Sequence, residues 1–554
     1  MTPPDDSKSD PNSPDAATVE GHGGRLAAAA LRAAGVEHLF TLSGGHLFSL
    51  YDGCVQEKIE LVDVRHEQSA VFAAEGYAKV SRRTGVAALT AGPGVTNGTS
   101  AITSAHFTGS PVFVIGGRAP AGRWGQGSLQ ELDHVPLVAP VTRWAATSAT
   151  TEGIADDMIK GVVRAQSAHR GPTFLDVPMD LFFGPAAIDA PRAPQLPERA
   201  PDEDAIRELA GLIDGAERPV LMAGADVYWD HAEQALADLA EAAGLPVFVN
   251  GLARGCLPAD HELFFSRCRK AAFTQADLVV VVGTPLDFRL GFGRFGDARV
   301  AHVMDVEERV STHVDLAASA SGDLRLVLAG LAARVERPAS RTAWLEELGR
   351  EEAARGEAER GMLEADGDPI HPGRIYGELV PRLERDAVVI GDGGDFVSYA
   401  GKLMPTYEPG CFLDPGPFGC LGTGPGYALG ACTAFPERQV VLLSGDGAAG
   451  FALGDWDTLI RFGCNVTIVV GNNHCWGLEK HPMQQFFGYH VAAELSPDAR
   501  YDRVFEALGG QAEMVERSRD LGGALERALA HRGPSLVNVL TDPENVYPRS
   551  SNLG

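Results

Sequence analysis

The chain has 554 residues, 45% of them hydrophobic and 22% charged, enough to fill several cored domains. Its 74 acidic residues against 47 basic ones give a formal charge of −27, which repels phosphate backbones and anionic bilayers; nucleic acid and membrane surfaces are excluded as partners. The 8 cysteines are dispersed without a C-x-x-C pair, which argues against structural zinc or a redox dithiol and fits the reduced thiols of a cytoplasmic protein.

Residues 1–21, rich in Pro, Asp and Ser and lacking an apolar block, read as a disordered tail without a signal or transit pattern. No run approaches the ~18 apolar residues of a membrane span. From 22 to 190, helical patterns such as RLAAAALRAAG alternate with the apolar runs VEHLFTL, GVAALTAG, PVFVIGG and GPTFLDVP, the mark of a parallel sheet covered by helices. Within this block RHEQSAVFAAEGYA sets an apolar helix face behind Glu67, which stands at the helix head; a dipole-capping role and a chemical role are both open. The Pro-rich APRAPQLPERAPDED is a linker. From 204 to 336 the alternation returns in a Rossmann-like manner (RPVLMAGADV, GLPVFVNG, ADLVVVVGTPL, RVAHVMDVE). A charged helical connector leads to a third alternating block, 370–542, and a short tail, 543–554.

The third block holds the most specific pattern. The strand QVVLLSGDG ends in Gly445-Asp446-Gly447, and after 24 intervening residues Asn472-Asn473 close the strand VTIVVGNN. Adjacent parallel strands would place Asp446 and Asn473 at one sheet edge, where open α/β folds hold ligands. Glycines there let backbone N–H groups approach phosphate oxygens, and the hard oxygens of Asp and Asn suit Mg²⁺. The pattern predicts a site for a metal-bridged diphosphate.

This spacing resembles the thiamine-diphosphate and Mg²⁺ motif of the pyruvate decarboxylase and acetohydroxyacid synthase superfamily. The resemblance covers nearly the whole chain: GVEHLFTLSGGHLFSLYDG, RHEQSAVFAAEGYAK, LTAGPGVTNG and SLQELDHVPLVAPVTRW look like its pyrimidine-binding domain, and GCLGTGPGYALGA like its diphosphate domain. It implies three doubly wound α/β domains: pyrimidine-binding, central Rossmann-like and diphosphate-binding. It implies that Asp446, Asn473 and the carbonyl of Cys475 hold Mg²⁺, and that Gly92, Asn97, Asp395, Gly445, Gly447, Ala448, Ala449 and Trp476 line the cofactor. Glu67 matches the glutamate that hydrogen-bonds the aminopyrimidine N1′ and activates the cofactor. Leu421 is either the wedge that bends the cofactor or a core leucine. The two cofactor halves lie on different subunits in such enzymes, so the resemblance implies a homodimer or homotetramer with shared active sites.

The resemblance also frames the reaction. The chain lacks the Gln-Trp pair after Asn-Asn and the flavin segment usual in biosynthetic acetohydroxyacid synthases, which argues against FAD. DFRLGFG (287–293) resembles the LNW-x-L-x-FG segment of oxalyl-CoA decarboxylases and 2-hydroxyacyl-CoA lyases, whose central domain holds an adenine nucleotide. ADP or CoA is accordingly the expected central-domain ligand, with Arg254, Arg289, Arg294 and the tail residue Arg549 toward phosphates and Asp305 toward a ribose hydroxyl. The tail itself is a candidate lid. His46, Gln130, Glu479 and Glu494 are the candidates for substrate proton transfer or hydrogen bonding. The expected reaction is cleavage of a 2-hydroxyacyl-CoA thioester to formyl-CoA and an aldehyde or ketone. The rival is an acetolactate-synthase-like condensation of 2-keto acids, and the third reading is a benzaldehyde-lyase-like or 2-keto acid decarboxylase chemistry.

Overall fold

The computed structural model describes residues 18–339, 341–545 and 547. Three parallel sheets organise them, each covered by helices on both faces. The first sheet has the order β3-β2-β4-β5-β7-β6, from β2 (His38–Thr41), β3 (Glu60–Asp63), β4 (Gly85–Leu89), β5 (Val112–Arg118), β6 (Trp144–Thr147) and β7 (Thr173–Pro178). The middle sheet runs β10-β9-β11-β12-β13, from β9 (Pro219–Ala223), β10 (Val247–Val249), β11 (Leu278–Val282), β12 (Arg299–Met304) and β13 (Ala318–Ser321). The last runs β15-β14-β16-β17-β19-β18, from β14 (Val388–Asp392), β15 (Phe412–Leu413), β16 (Val440–Gly445), β17 (Val466–Asn472), β18 (Gln511–Val515) and β19 (Ser535–Leu540).

The central strands are continuous apolar runs because both faces are covered; all five residues of Leu278–Val282 are buried. The strands without an apolar run in the sequence, β3 and β6, are the edges of the first sheet, where polar residues such as Glu60 and Thr147 reach solvent. The tail assigned to 1–21 is shorter than that. Thr18–His22 (β1) pairs antiparallel with Pro185–Asp189 (β8), so residues 18–21 belong to the first domain's ordered structure, while 1–17 lie outside the described residues. The reason is long-range pairing, which a polar pentapeptide does not announce. Residues 190–202 form neither helix nor strand. The connector is a helix, Arg341–Leu363, with Trp344 and Leu348 buried against the middle domain. No helix among the described residues is long and apolar enough to cross a membrane.

In each sheet the second strand in the chain lies on one side of the first and the later ones on the other. That reversal opens a crevice beyond the C-terminal ends of β2/β4, β9/β11 and β14/β16, the positions where doubly wound sheets take ligands. First and last domains are locked by the helices Glu67–Ser81 and Gly424–Ala434. Glycines make that contact possible: a Cβ at Gly430 would stand 2.2 Å from Ala73 O, and one at Gly76 would stand 2.6 Å from the Tyr427 Cα.

Candidate functional site

At the β14/β16 crevice, Gly445 and Gly471 pair in register, which brings Asp446 beside the end of β17. Both Asp446 oxygens accept backbone N–H groups, Oδ1 from Gly447 at 2.9 Å and Oδ2 from His474 at 2.7 Å. Burial pushes this carboxyl up to about 7, and among the described residues no cationic side chain lies within ion-pair distance of it. Asn473 Oδ1 accepts from Cys475 N at 3.1 Å. The short ladder beyond it runs Trp476 N to Ala493 O and Leu495 N to His474 O, bypassing the Cys475 carbonyl. His474 holds a left-handed φ of 58°, which turns the chain so that Asp446 and Asn473 share one edge. The Trp476 ring covers Gly447, where a Cβ would come within 2.4 Å of it. At Gly394 and Gly445 a Cβ would meet nothing within 4 Å, so the backbone faces open space at the starts of two helices. A buried carboxylate without a counter-charge, beside amide oxygen and bare helix N-termini, fits a divalent cation carrying a diphosphate.

Asp392 is a residue the motif reading passed over. Fully buried at the end of β14, it accepts from Gly422 N at 3.1 Å and Gly424 N at 2.9 Å and so positions the loop bearing Leu421; burial raises its pKa to about 6. Asp395 lies against Gly477, where a Cβ would stand 2.4 Å from its Oδ2.

The β2/β4 crevice carries the other half. Glu67 is buried as the first residue of its helix, yet the cap is the imidazole of His66, which accepts from Gln68 N. The Glu67 carboxylate instead accepts from Asn97 Nδ2 at 3.0 Å. It is therefore held in place without being used as the cap. His46 is buried across the crevice, its Nδ1 3.1 Å from Thr90 Oγ1, and burial holds its pKa below the usual histidine value. Gln130 has a left-handed φ of 58° and packs on Gly92, whose own φ is 62°. A side chain held in that region marks a position fixed by its surroundings. What fixes it was not visible in sequence: His134 Nε2 accepts from Gly92 N at 2.9 Å, His134 Nδ1 lies 3.0 Å from Asp176, and Arg118 pairs with Asp176 at 2.6 Å. A His, an Arg and an Asp spread over sixty residues give no spacing signal.

The cavity at the diphosphate edge is not shared by the two sets of residues. Gly393, Gly394, Leu421, Trp476 and Glu479 open onto a cavity of about 590 Å³ whose first-domain wall is Lys79, Phe107–Gly109 and His169; Glu67, His46, Gly92 and Gln130 are not among its lining residues. Glu494 is exposed and tied to Lys480 at 3.2 Å and His490 at 2.7 Å; the Lys480 hydrogen bond, first, lowers its pKa.

The same cavity reaches the middle domain. Arg254, Arg289 and, unforeseen from sequence, Arg269 and Arg309 line it, whereas Arg294 does not. Arg254 donates to Gly401 O at 2.6 Å and keeps a buried Nε without a hydrogen-bond partner; burial holds its guanidinium below the ordinary pKa, and burial, then the charges of Arg254 and Arg289, does the same at Arg269. Arg289 is neutralised by Asp287 at 2.7 Å. The ribose role expected of Asp305 is not supported: it is fully buried, is not among the lining residues, and its carboxylate is taken by His169 of the first domain at 3.1 Å. Asp226 lines the cavity in its place. Arg549 lies outside the described residues.

Family models for the thiamine pyrophosphate enzyme N-terminal TPP binding domain, central domain and C-terminal TPP binding domain match residues 21–137, 206–331 and 392–539. The chain is 53% identical over 96% of its length to a probable acetolactate synthase of Mycobacterium bovis, covering 98% of that protein, and equally to an acetolactate synthase large subunit of Mycobacterium tuberculosis. It is 32% identical over 94% of its length to 2-hydroxyacyl-CoA lyase 2 of Caenorhabditis elegans, covering 89% of it.

Proposed function

The chain belongs to the thiamine pyrophosphate enzymes, and from that premise we propose that it condenses two 2-keto acids with loss of carbon dioxide, as an acetolactate-synthase-like enzyme. The observation that carries this reading is the 53% identity, extending over 96% of the chain, to proteins named acetolactate synthase. It displaces the thioester lyase as the first expectation. Thiamine diphosphate, when bound, supplies the carbon nucleophile and electron sink for chemistry beside a carbonyl.

The chain's own residues do the rest. Asp446, Asn473 and the Cys475 carbonyl would hold Mg²⁺, and the N–H groups of the helix start after Gly447, from Ala448 on, would face the diphosphate. Glu67, oriented by Asn97, holds the proton at the aminopyrimidine N1′. Leu421, on the loop held by Asp392, would pack against the bound cofactor. His46, kept neutral by burial, and Gln130 present a proton acceptor and an amide donor to the substrate oxygens. A second copy completes the site. Its support is that the two sets do not line a common cavity in one chain, with exposed apolar residues beside each: Phe48 and Leu129 beside His46 and Gln130 in the chain, and Phe451 against the Trp476 ring. The eight free thiols support a reducing, cytoplasmic setting.

A second reading, cleavage of a 2-hydroxyacyl-CoA, keeps support from the lyase relatives and from the paired Arg254 and Arg269, which suit the phosphates of ADP or CoA. Separate assays with pyruvate and with a 2-hydroxyacyl-CoA decide between them. Acetolactate without formyl-CoA is expected; formyl-CoA without acetolactate would give the enzyme to the lyase reading.

A further inference from the structure

The middle domain's crevice holds a group of side chains that the thiamine chemistry does not use. Asp226 lies in the first turn of the helix Ala225–Trp229 that follows β9, and Asp305 follows β12, so the two carboxylates flank the end of β11 at the reversal point of this sheet. His169, from the loop before β7 of the first domain, enters between them. Its Nδ1 lies 3.1 Å from Asp305 Oδ1 and 3.4 Å from Asp226 Oδ1, and one ligand atom from each residue falls within 4.8 Å of the others.

Arg309, which lines the cavity, and Arg143 act on His169 and Asp305 through space, but the two carboxylates have no direct cationic partner from a lysine or arginine among the described residues. The nearby Arg170 and Arg199 guanidinium groups are paired to Asp230 at 2.7 and 3.1 Å. Asp226 is 3% exposed, and its Oδ2 is buried with no hydrogen-bond partner. An unmet carboxylate oxygen in such a setting costs free energy unless a donor or a cation meets it. Metal–oxygen and metal–nitrogen bonds of about 2.0–2.2 Å put neighbouring ligand atoms roughly 3.0–3.5 Å apart in tetrahedral or octahedral geometry. The observed separations from the imidazole nitrogen already have that length. His169 and Asp226 also face the cavity of about 590 Å³, which gives an ion a way in and leaves coordination positions open toward whatever the cavity holds.

We propose that His169, Asp226 and Asp305 form a second divalent-metal site, selective for a nitrogen-accepting ion such as Zn²⁺ or Mn²⁺ over Mg²⁺, joining the first and middle domains and presenting open positions to an anionic ligand in the central cavity. It is independent of which carbonyl substrate the enzyme uses. Binding requires a deprotonated imidazole nitrogen, so affinity falls as pH drops.

The test is metal content of the thiamine-diphosphate- and Mg²⁺-loaded enzyme after exposure to Zn²⁺ and desalting. One Zn²⁺ per chain is expected in addition to retained Mg²⁺, with zinc-edge absorption spectra showing one imidazole among oxygen ligands. Asp226→Asn and His169→Gln should each lower bound zinc at least tenfold without loss of Mg²⁺, while Asp446→Asn should keep it. No retained zinc in the wild-type enzyme, zinc without an imidazole ligand, or zinc undiminished in Asp226→Asn would each overturn the site. The first two rest on wild-type protein and hold even where a variant fails to fold.

Discussion

The crevices of the last and middle domains are built on the same strand reversal, and each sets an aspartate next to a strand end, yet the two aspartates have different neighbours. Asp446 meets only backbone N–H groups of its own domain, so its surroundings are complete except for positive charge. Asp305 meets an imidazole from another domain, and the cavity-facing role passes to Asp226. Topology thus fixes where a ligand is taken, and the partners brought by other elements decide which ligand.

The largest expected effect breaks the last domain's side of this comparison. Asp446→Ala should remove the anchor for the cation and lower turnover on the order of 10³-fold, with thiamine diphosphate no longer retained on desalting. Near-normal cofactor retention would mean that the crevice works without its carboxylate. Next comes the first domain's crevice. Glu67→Gln should fold, retain thiamine diphosphate and lose on the order of 10²-fold or more in rate, as for any positioned proton-transfer partner. Normal turnover would return Glu67 to a structural part, although His66 already serves as the cap.

A smaller effect sharpens the comparison through Asp392, which faces backbone N–H groups as Asp446 does but lies one strand away. Its folded pKa of about 6 exceeds its ordinary 3.8, so between these values the native state binds more protons than the unfolded one. Stability from this group is therefore full below about pH 4 and is lost as pH rises toward 6. Denaturant unfolding of wild type and Asp392→Asn across that window should show their difference changing by about 2–3 kcal/mol. A difference independent of pH would assign Asp392 an ordinary pKa.

The last domain's crevice was legible because its chemistry is local in sequence: a glycine turn, an acid and an amide on neighbouring strands, with a fixed interval between them. The alternating apolar runs likewise exposed the inner strands of all three sheets, since burial on both faces leaves few polar positions. The middle crevice was not legible in this way. Asp305 ends a strand as a ribose-binding acid would, but its partner His169 lies 136 residues away, and nothing near "VMDVE" announces it. His134, Asp176 and Arg118 escaped for the same reason. Arg269 sits in an unremarkable helix start, and its relation to Arg254 exists only once the cavity forms.

The smallest expected effect separates two glutamates that the sequence set side by side. Glu479 lines the cavity with the cofactor-edge residues, whereas Glu494 is exposed and bound to Lys480 and His490. Its lowered pKa, due first to the Lys480 hydrogen bond, keeps it ionised through neutral pH, which suits neither a proton donor nor a poised base. An exposed ion pair contributes at most about 1 kcal/mol, and Lys480 retains Glu544 at 3.7 Å as a second partner. Glu494→Gln should therefore leave turnover within about threefold of wild type and the melting temperature almost unmoved, while Glu479→Gln changes turnover by about tenfold or more. Equal rate losses in the two variants would show that the segment carrying Glu494 closes over the substrate during turnover, and the cavity wall at Glu479 would then be only half of the proton-transfer surface.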